Sequence, residues 1–275
     1  MIELSLELGN AELMEILIAE LEQLGFESFW EEDKILRAYI SSDQFSEEKL
    51  RKLMGRYQEQ GITHFSWTTL QAKTWLKARE DRYPPLYIKN QLLVIDPSDT
   101  FQARPPYQIQ ILTALSFGSG AHPSTELCLR MMLEISFERS SILDLGCGTG
   151  VLALLAELMG GAYILAMDNN PWAIEVCREN LKINQSTKID LRLGSIASLS
   201  KGEKFDFILA NLNASVLEKE LHLYPDFLAP NAQIILGGYM EKDKGAIDGI
   251  ATRASLLKIQ ERTKEGWIVG LFQFN

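Results

Sequence analysis

Residues 142–150, which have the sequence ILDLGCGTG, constrain the fold more than any other stretch of this chain. An apolar run that contains the acid Asp144 is followed by a turn with glycine at every second position. An almost wholly apolar segment, residues 151–159, comes next. Glycine is favoured where the backbone takes positive φ or must approach another group closely. The pattern therefore predicts a buried strand, a tight turn and a buried helix, as in one unit of a parallel α/β sheet.

A second acid extends this pattern. Asp168 ends the next apolar run, 22 residues after Gly146. In a doubly wound sheet such an acid lies beside the glycine turn and accepts hydrogen bonds from ribose hydroxyls. A dinucleotide fingerprint would need a further glycine where Val151 stands, and no G-K-[ST] follows to make a P-loop. A turn that binds no ligand is the remaining alternative, and the two flanking acids favour a nucleoside site over it.

Composition excludes several other classes of protein. The apolar content of 46% and charged content of 23% are typical of a globular protein in water. We find no apolar run long enough for a membrane span and no secretory leader at the N-terminus, so we expect a cytoplasmic protein. Cys128, Cys147 and Cys177 share no C-x-x-C spacing, and the three histidines lie far apart, so we predict no metal site.

Negative charge is concentrated in the first quarter of the chain. Residues 1–72 contain 14 acidic and 6 basic residues, whereas the rest of the chain accounts for only −2 of the net charge of −10. Direct nucleic-acid binding is therefore not expected. A basic protein is the partner that such charge favours, although an acidic surface that only maintains solubility explains it as well.

Hydrophobic periodicity predicts two domains. Residues 1–72 follow the order β-α-β-β-α-β, which is typical of a small α+β ferredoxin-like domain. Residues 73–83 are a predicted linker, broken by Pro84-Pro85. From about Ser124, helices and strands alternate, which predicts that residues 84–275 form a mostly parallel seven-stranded sheet with helices on both faces. Its last two strands are predicted as a closing antiparallel hairpin over residues 255–260 and 267–274.

Two further segments sharpen the prediction. Residues 117–125, FGSGAHPST, end where Ser124 or Thr125 can place helix amides near an anionic group. His122 alone is interpreted as a packing or turn residue. Residues 205–213, FDFILANLN, form an apolar strand whose last residue, Asn211, lies at the ligand-binding edge of such a sheet.

Together these motifs resemble the bacterial family of methyltransferases that act on ribosomal protein L11. The resemblance implies a Rossmann-like domain that binds S-adenosylmethionine through Thr125, Gly146, Asp168 and Asn211. It further implies that Asn211 is the catalytic residue and faces an amino group of the substrate, on a lysine side chain or the N-terminus. The N-terminal domain is then expected to bind the basic ribosomal protein, and the enzyme to be a monomer.

The chain departs from the family pattern at several positions. Ser119, Ala121 and Ser124 stand where threonines are common in the family, and Asn213 introduces a polar group near the expected substrate entrance. Two alternatives therefore stay open: a methyltransferase of this fold with another protein or a small molecule as substrate, and a nucleoside-binding module without activity. The protein-glutamine enzymes prefer Asn-Pro-Pro-Tyr at the strand end, and both prolines are missing from residues 211–214.

Overall fold

A computed structural model of the chain describes residues 2–9, 13–26, 28–32, 34–40, 42, 44–69, 84–112 and 122–274. The chain divides into two compact units, residues 1–79 and 80–275. The predicted linker over residues 73–83 and the first part of the 117–125 motif, residues 117–121, lie outside the described residues. No helix among the described residues is long and apolar enough to cross a lipid bilayer.

The first unit is a four-stranded antiparallel sheet with two helices. Its elements are β1 (Ile2–Leu8), α1 (Leu13–Gln23), β2 (Ser28–Glu32), β3 (Ile35–Ile40), α2 (Glu47–Tyr57) and β4 (Ile62–Thr69). The strands are ordered β2-β3-β1-β4. Alternate residues of β1, such as Leu4 and Leu6, are buried in one core with Leu17 of α1 and Leu53 of α2. This arrangement confirms the predicted ferredoxin-like domain.

The second unit is built on a larger sheet. Its helices are α3 (Pro123–Met132), α4 (Val151–Leu158), α5 (Pro171–Ile183), α6 (Ala214–Glu220) and α7 (Lys244–Arg253). Its strands are β5 (Leu86–Ile88), β6 (Leu92–Ile95), β7 (Tyr107–Gln110), β8 (Ser141–Leu145), β9 (Tyr163–Asp168), β10 (Ile189–Leu193), β11 (Phe205–Asn211), β12 (Leu228–Met240), β13 (Leu256–Lys264) and β14 (Trp267–Phe274).

Seven of these strands form one sheet in the order β10-β9-β8-β11-β12-β14-β13. The first five strands of that order pair in parallel, and β14 and β13 add an antiparallel hairpin. Neighbouring residues of one strand, such as Ile142 and Leu143, are buried in separate cores on opposite faces of the sheet. The predicted α/β class, with a mostly parallel seven-stranded sheet, is confirmed.

Two features of the second unit differ from the sequence prediction. Strands β5, β6 and β7 form a separate small sheet, which the prediction missed because they have only three or four residues and a proline-rich stretch interrupts them. Strand β13 was predicted to end at Gln260 but continues to Lys264. It lies at the edge of its sheet, where charged residues replace the apolar ones that would have marked its length.

Candidate active site

The carboxyl ends of three parallel strands define the site. Gly146 follows β8, Asp168 ends β9 and Asn211 ends β11. The chain order of the strands reverses between β8 and β11, since β9 and β10 lie on one side of β8 and β11 on the other. In open α/β sheets, ligands bind in the crevice at such a reversal. The three residues singled out from the sequence therefore lie at the edge where a ligand is expected.

The glycine turn leaves no room for side chains. Gly146, Gly148 and Gly150 have φ values of 67°, 52° and 81°, a left-handed conformation that favours glycine. A Cβ added to Gly146 would lie 2.2 Å from Cδ2 of Leu212, and one added to Gly150 would lie 2.6 Å from Sγ of Cys177. Both backbone conformation and close packing therefore require glycine in this turn.

Asp144, on β8 beneath the turn, is the most unusual charged group of the unit. Its side chain is buried, and Oδ2 accepts a hydrogen bond from the backbone N–H of Ala153 at 3.0 Å. Oδ1 is shielded from solvent and has no hydrogen-bond partner among the described residues. The pKa of Asp144 is raised to about 7: burial raises it most, the Ala153 bond lowers it, and the nearby carboxylate of Asp168 raises it. An unpaired buried carboxylate favours a cationic or hydrogen-bond-donating ligand.

Asp168 holds the turn in place. Oδ2 accepts a hydrogen bond from the N–H of Gly148 at 3.0 Å, and Oδ1 accepts one from the N–H of Asn170 at 2.9 Å. Burial raises the pKa of Asp168, and the two backbone bonds oppose that rise. Each carboxylate oxygen has a second acceptor position. The side chain is therefore able to accept ribose hydroxyls while still bonded to the turn.

Asn211 and Thr125 are brought together although 86 positions separate them in the chain. Nδ2 of Asn211 donates to Oγ1 of Thr125, a buried hydroxyl in the first turn of α3, at 3.2 Å. Oδ1 of Asn211 is shielded from solvent and has no partner among the described residues. The amide is thus bonded on its donor side, while its acceptor oxygen has no hydrogen-bond partner among the described residues.

The start of α3 is fixed by His122. Nδ1 of His122 accepts a hydrogen bond from the N–H of Ser124 at 3.3 Å, so the side chain caps the helix. Its ring contacts the ring of Trp267 on β14 edge-on, with 4.6 Å between centroids. Burial lowers the pKa of His122, which favours the neutral ring that accepting at Nδ1 requires. His122 therefore has the packing and turn role that the sequence predicted.

Sequence reasoning missed Gly237, which shapes the same pocket. Gly237 on β12 pairs with Asn211 across the sheet. A Cβ added there would lie 3.0 Å from Oδ1 of Asn211 and 2.8 Å from Sγ of Cys128. Glycine is therefore required at this position so that the Asn211 side chain fits. The Gly237-Gly238 pair at the end of an apolar strand was the available signal.

These residues fit S-adenosylmethionine. That molecule has a ribose, an ammonium group and a positively charged sulfonium, and it needs acceptors more than donors. The site offers the carboxylate of Asp168, which still has acceptor positions free, and two shielded oxygens without partners among the described residues, on Asp144 and Asn211, near a turn with glycine at every second position. Among the described residues, no group of three or more His, Cys, Asp or Glu side chains is arranged to hold a metal ion.

The same fold is found in a solved methyltransferase. The crystal structure of a ribosomal protein L11 methylase from Lactobacillus delbrueckii subsp. bulgaricus matches 70% of this chain and 99% of its own, with a TM-score of 0.63 and 20% identity. At that identity the match shows the fold. The fold, the glycine turn and the following acid place the second unit in the Rossmann-like class of domains, to which S-adenosylmethionine-dependent methyltransferases belong.

Sequence comparison identifies the family. The family model described as "Ribosomal protein L11 methyltransferase (PrmA)" matches residues 7–274. A protein of Chlorobaculum parvum named ribosomal protein L11 methyltransferase is 34% identical over 99% of this chain and 96% of its own length. A protein of the same name from Porphyromonas gingivalis is 29% identical over 92% of this chain and 88% of its own. The chain belongs to the ribosomal protein L11 methyltransferase family.

Proposed function

We propose that this enzyme transfers methyl groups from S-adenosylmethionine to amino groups of ribosomal protein L11, on lysine side chains, the N-terminal amine or both. The observation that carries the proposal is Asn211, whose shielded oxygen has no partner among the described residues and lies at the switch point of the sheet. Family membership supports ribosomal protein L11 as the substrate, because relatives that match over nearly their whole length are named ribosomal protein L11 methyltransferase.

Four residues are proposed to hold the cofactor. Asp168 would accept the ribose hydroxyls, and the missing side chain of Gly146 would let the backbone approach the ligand. Thr125 and Asn211 would contact the methionine end from the opposite side, as their mutual hydrogen bond suggests. When bound, the cofactor supplies a methyl group activated by its positively charged sulfur.

Asn211 is proposed to align the amine. Oδ1 of Asn211 can accept a hydrogen bond from the amine nitrogen of the substrate, and this bond fixes the direction of the nitrogen lone pair. The hydrogen bond to Thr125 keeps the Asn211 amide from rotating. Orientation of two reacting groups accounts for a large share of the acceleration in such displacements. Among the described residues, the only hydrogen bond of the Asn211 side-chain amide goes to a hydroxyl, that of Thr125, and we propose that solvent takes the amine proton.

The substrate must arrive as a neutral amine. A lysine with a pKa near 10.4 loses its proton at pH 7.4 at a cost of about 4 kcal/mol. Removing the amine from water lowers its pKa and offsets part of this cost. We propose that the apolar surroundings of Asn211, which include Leu212, perform this desolvation, since Leu212 packs against the buried core.

The remaining parts of the proposal concern the whole protein. We propose that residues 1–72 recognise the basic substrate, that residues 73–83 link them to a catalytic domain of residues 84–275, and that the enzyme acts as a cytoplasmic monomer without contacting nucleic acid or membrane. The acidic composition of residues 1–72 supports recognition of a basic protein.

The test is methyl transfer with isotopically labelled S-adenosylmethionine and a ribosomal protein extract. We expect label on L11, at amino groups located by peptide mass spectrometry. Label on another protein or on a small molecule would support an enzyme of the same fold with a different substrate. Calorimetric binding of S-adenosylhomocysteine without any transfer would indicate a nucleoside-binding module.

A further inference from the structure

A buried asparagine outside the predicted site contacts the glycine turn directly. Asn180, on α5, is fully buried. Its Nδ2 donates a hydrogen bond to the carbonyl oxygen of Thr149 at 2.9 Å. Its Oδ1 accepts one from the backbone N–H of Leu112 at 2.9 Å. One carboxamide thus joins the turn after β8 to the segment that follows β7, which belongs to a different sheet.

The bond to Thr149 fixes one particular peptide group. The carbonyl of Thr149 and the N–H of Gly150 belong to the same peptide plane. Asn180 holds its oxygen, while the carbonyl of Cys147 accepts its N–H at 2.7 Å. Gly150 has a φ of 81°, and glycine accepts either sign of φ at little cost. The glycines therefore permit the plane to rotate, and Asn180 opposes that rotation.

The orientation of this plane affects the rest of the turn. The N–H of Gly148, two peptide groups earlier, donates to Asp168 at 3.0 Å. A rotation at residues 149–150 would move Gly148 relative to Asp168 and change the backbone that a ligand approaches at Gly146. Asn180 itself lies on a helix behind the turn and has both ends of its amide occupied by the protein. It is therefore suited to shape the site without touching the ligand.

We infer that Asn180 is a positioning residue for the cofactor: it holds the glycine turn in its ligand-binding conformation by tying the Thr149 carbonyl to the segment that follows β7. The inference rests on the proposed function, because it takes S-adenosylmethionine as the ligand of this turn. It adds a determinant of cofactor affinity that lies outside the sequence motif.

The same helix offers a matched control one turn later. Nδ2 of Asn184 donates to the carbonyl of Gln110 at 2.6 Å, and Oδ1 accepts from the N–H of Gln110 at 2.8 Å. Asn184 thus anchors the end of β7, and among the described residues its side chain forms no hydrogen bond to the glycine turn. The variants Asn180→Asp and Asn184→Asp both replace a donating NH2 group by an oxygen and keep the acceptor.

The experiment compares both variants with the wild-type enzyme, below the unfolding temperature of each. In Asn180→Asp, an oxygen faces the Thr149 carbonyl, so we expect the Kd for S-adenosylhomocysteine in calorimetry to rise about tenfold or more. The KM for S-adenosylmethionine should rise in parallel, while kcat at saturating cofactor stays within about threefold. Amide hydrogen exchange over residues 146–152 should accelerate. In Asn184→Asp, Kd should change by less than about threefold.

The variant Asn180→Ser serves if the aspartate variant does not fold, because its short hydroxyl leaves room for a water molecule and adds no charge. Equal losses of affinity in the residue 180 and 184 variants would overturn the inference, as would a fall in kcat with an unchanged KM. A wild-type enzyme that fails to bind S-adenosylhomocysteine would overturn the proposed function itself, and the inference with it.

Discussion

Two regions of the second unit differ in whether their charged and polar side chains have partners. At the carboxyl edge of the sheet, oxygens of Asp144 and Asn211 are shielded from solvent and lack hydrogen-bond partners among the described residues. Along β13, by contrast, the cationic side chains Lys258, Arg262 and Lys264 each form an ion pair. Their partners lie on β13 itself and at α3 and its C-terminal end: Glu261, Glu134 and Glu126.

This difference separates groups that serve the fold from groups that are available to a ligand. Partly exposed ion pairs cost little to form and each stabilise the protein by less than about 1 kcal/mol. A buried polar group without a partner costs about 1–3 kcal/mol, and a ligand that supplies the missing hydrogen bond offsets this cost. Substitutions at the carboxyl edge should therefore reduce turnover or ligand affinity, whereas substitutions along β13 should change only the stability, and by a small amount.

Substituting the proposed aligning residue should have the largest effect. In Asn211→Ala, we expect turnover to fall at least about 100-fold, because a misplaced nucleophile loses most of the benefit of orientation. The Kd for S-adenosylhomocysteine should rise much less. Single-turnover methyl transfer and calorimetry measure the two quantities separately. The variant Thr125→Val, which removes only the hydroxyl bonded to Asn211, should lose a smaller share of turnover. An unchanged rate in Asn211→Ala would remove its catalytic role.

Asp144 should make stability depend on pH. The pKa of Asp144 is about 7 in the folded protein, whereas its ordinary value, which applies to the unfolded chain, is 3.8. Between pH 3.8 and 7 the folded state therefore keeps a proton that the unfolded state has lost. The free energy of unfolding should therefore fall as pH rises from 5 to 7, by up to about 1.4 kcal/mol per unit. In Asp144→Asn this contribution disappears.

Urea denaturation of the wild type and Asp144→Asn, at pH 5, 6, 7 and 8, checks the difference in slope. The wild type and the variant are compared at the same pH, so the contributions of other titrating groups largely cancel in the difference between their free energies of unfolding. Parallel pH profiles for the two proteins would show that Asp144 is ionised in the folded state across this range, contrary to the expectation from its burial.

Removing the proposed ribose acceptor should weaken cofactor binding moderately. Hydrogen bonds to a charged group contribute about 2 kcal/mol, so Asp168→Ala should raise the Kd for S-adenosylhomocysteine roughly 30-fold. The control is Asp168→Asn, which keeps an oxygen that can accept from the turn but removes the charge, and we expect an intermediate value. Calorimetry with both variants checks the order. A dissociation constant unchanged by Asp168→Ala would contradict the ribose assignment.

The ion pairs along β13 should matter least. Glu134 accepts hydrogen bonds from Arg262, Gln260 and Lys89 and is partly exposed. We expect Glu134→Gln to lower the free energy of unfolding by less than about 1 kcal/mol, with a smaller loss at high salt. Cofactor affinity should stay within about twofold. A large loss of cofactor affinity in Glu134→Gln would contradict the distinction between the two regions, because a residue that only stabilises the fold would then affect ligand binding.

Sequence reasoning predicted much of the fold because the responsible patterns are local. Apolar runs such as residues 163–167 are buried on both faces of a parallel sheet, which continuous hydrophobicity indicates. The spacing of Gly146, Asp168 and Asn211 then placed three of the four candidate residues at one sheet edge, because parallel strands end there. The cofactor roles of these residues, and of Thr125, remain predictions.

Contacts between residues that are far apart in the chain could not be predicted from local sequence patterns. Nothing in the sequence shows that Asn180 reaches both Thr149 and Leu112, or that Gly237 makes room for the side chain of Asn211. An asparagine inside a helix and a glycine in a strand each have several ordinary explanations. Only the packing of elements against one another selects among them.

The sequence by itself determined the class of sheet, the position of the glycine turn and the acid that follows it, since each depends on spacing along one strand or one turn. The tertiary structure decided which polar groups are paired and which are left open. Whether an oxygen such as Oδ1 of Asp144 finds a partner depends on the side chains that surround it in three dimensions. Burial then sets its pKa, because removing a carboxylate from water disfavours its charged form.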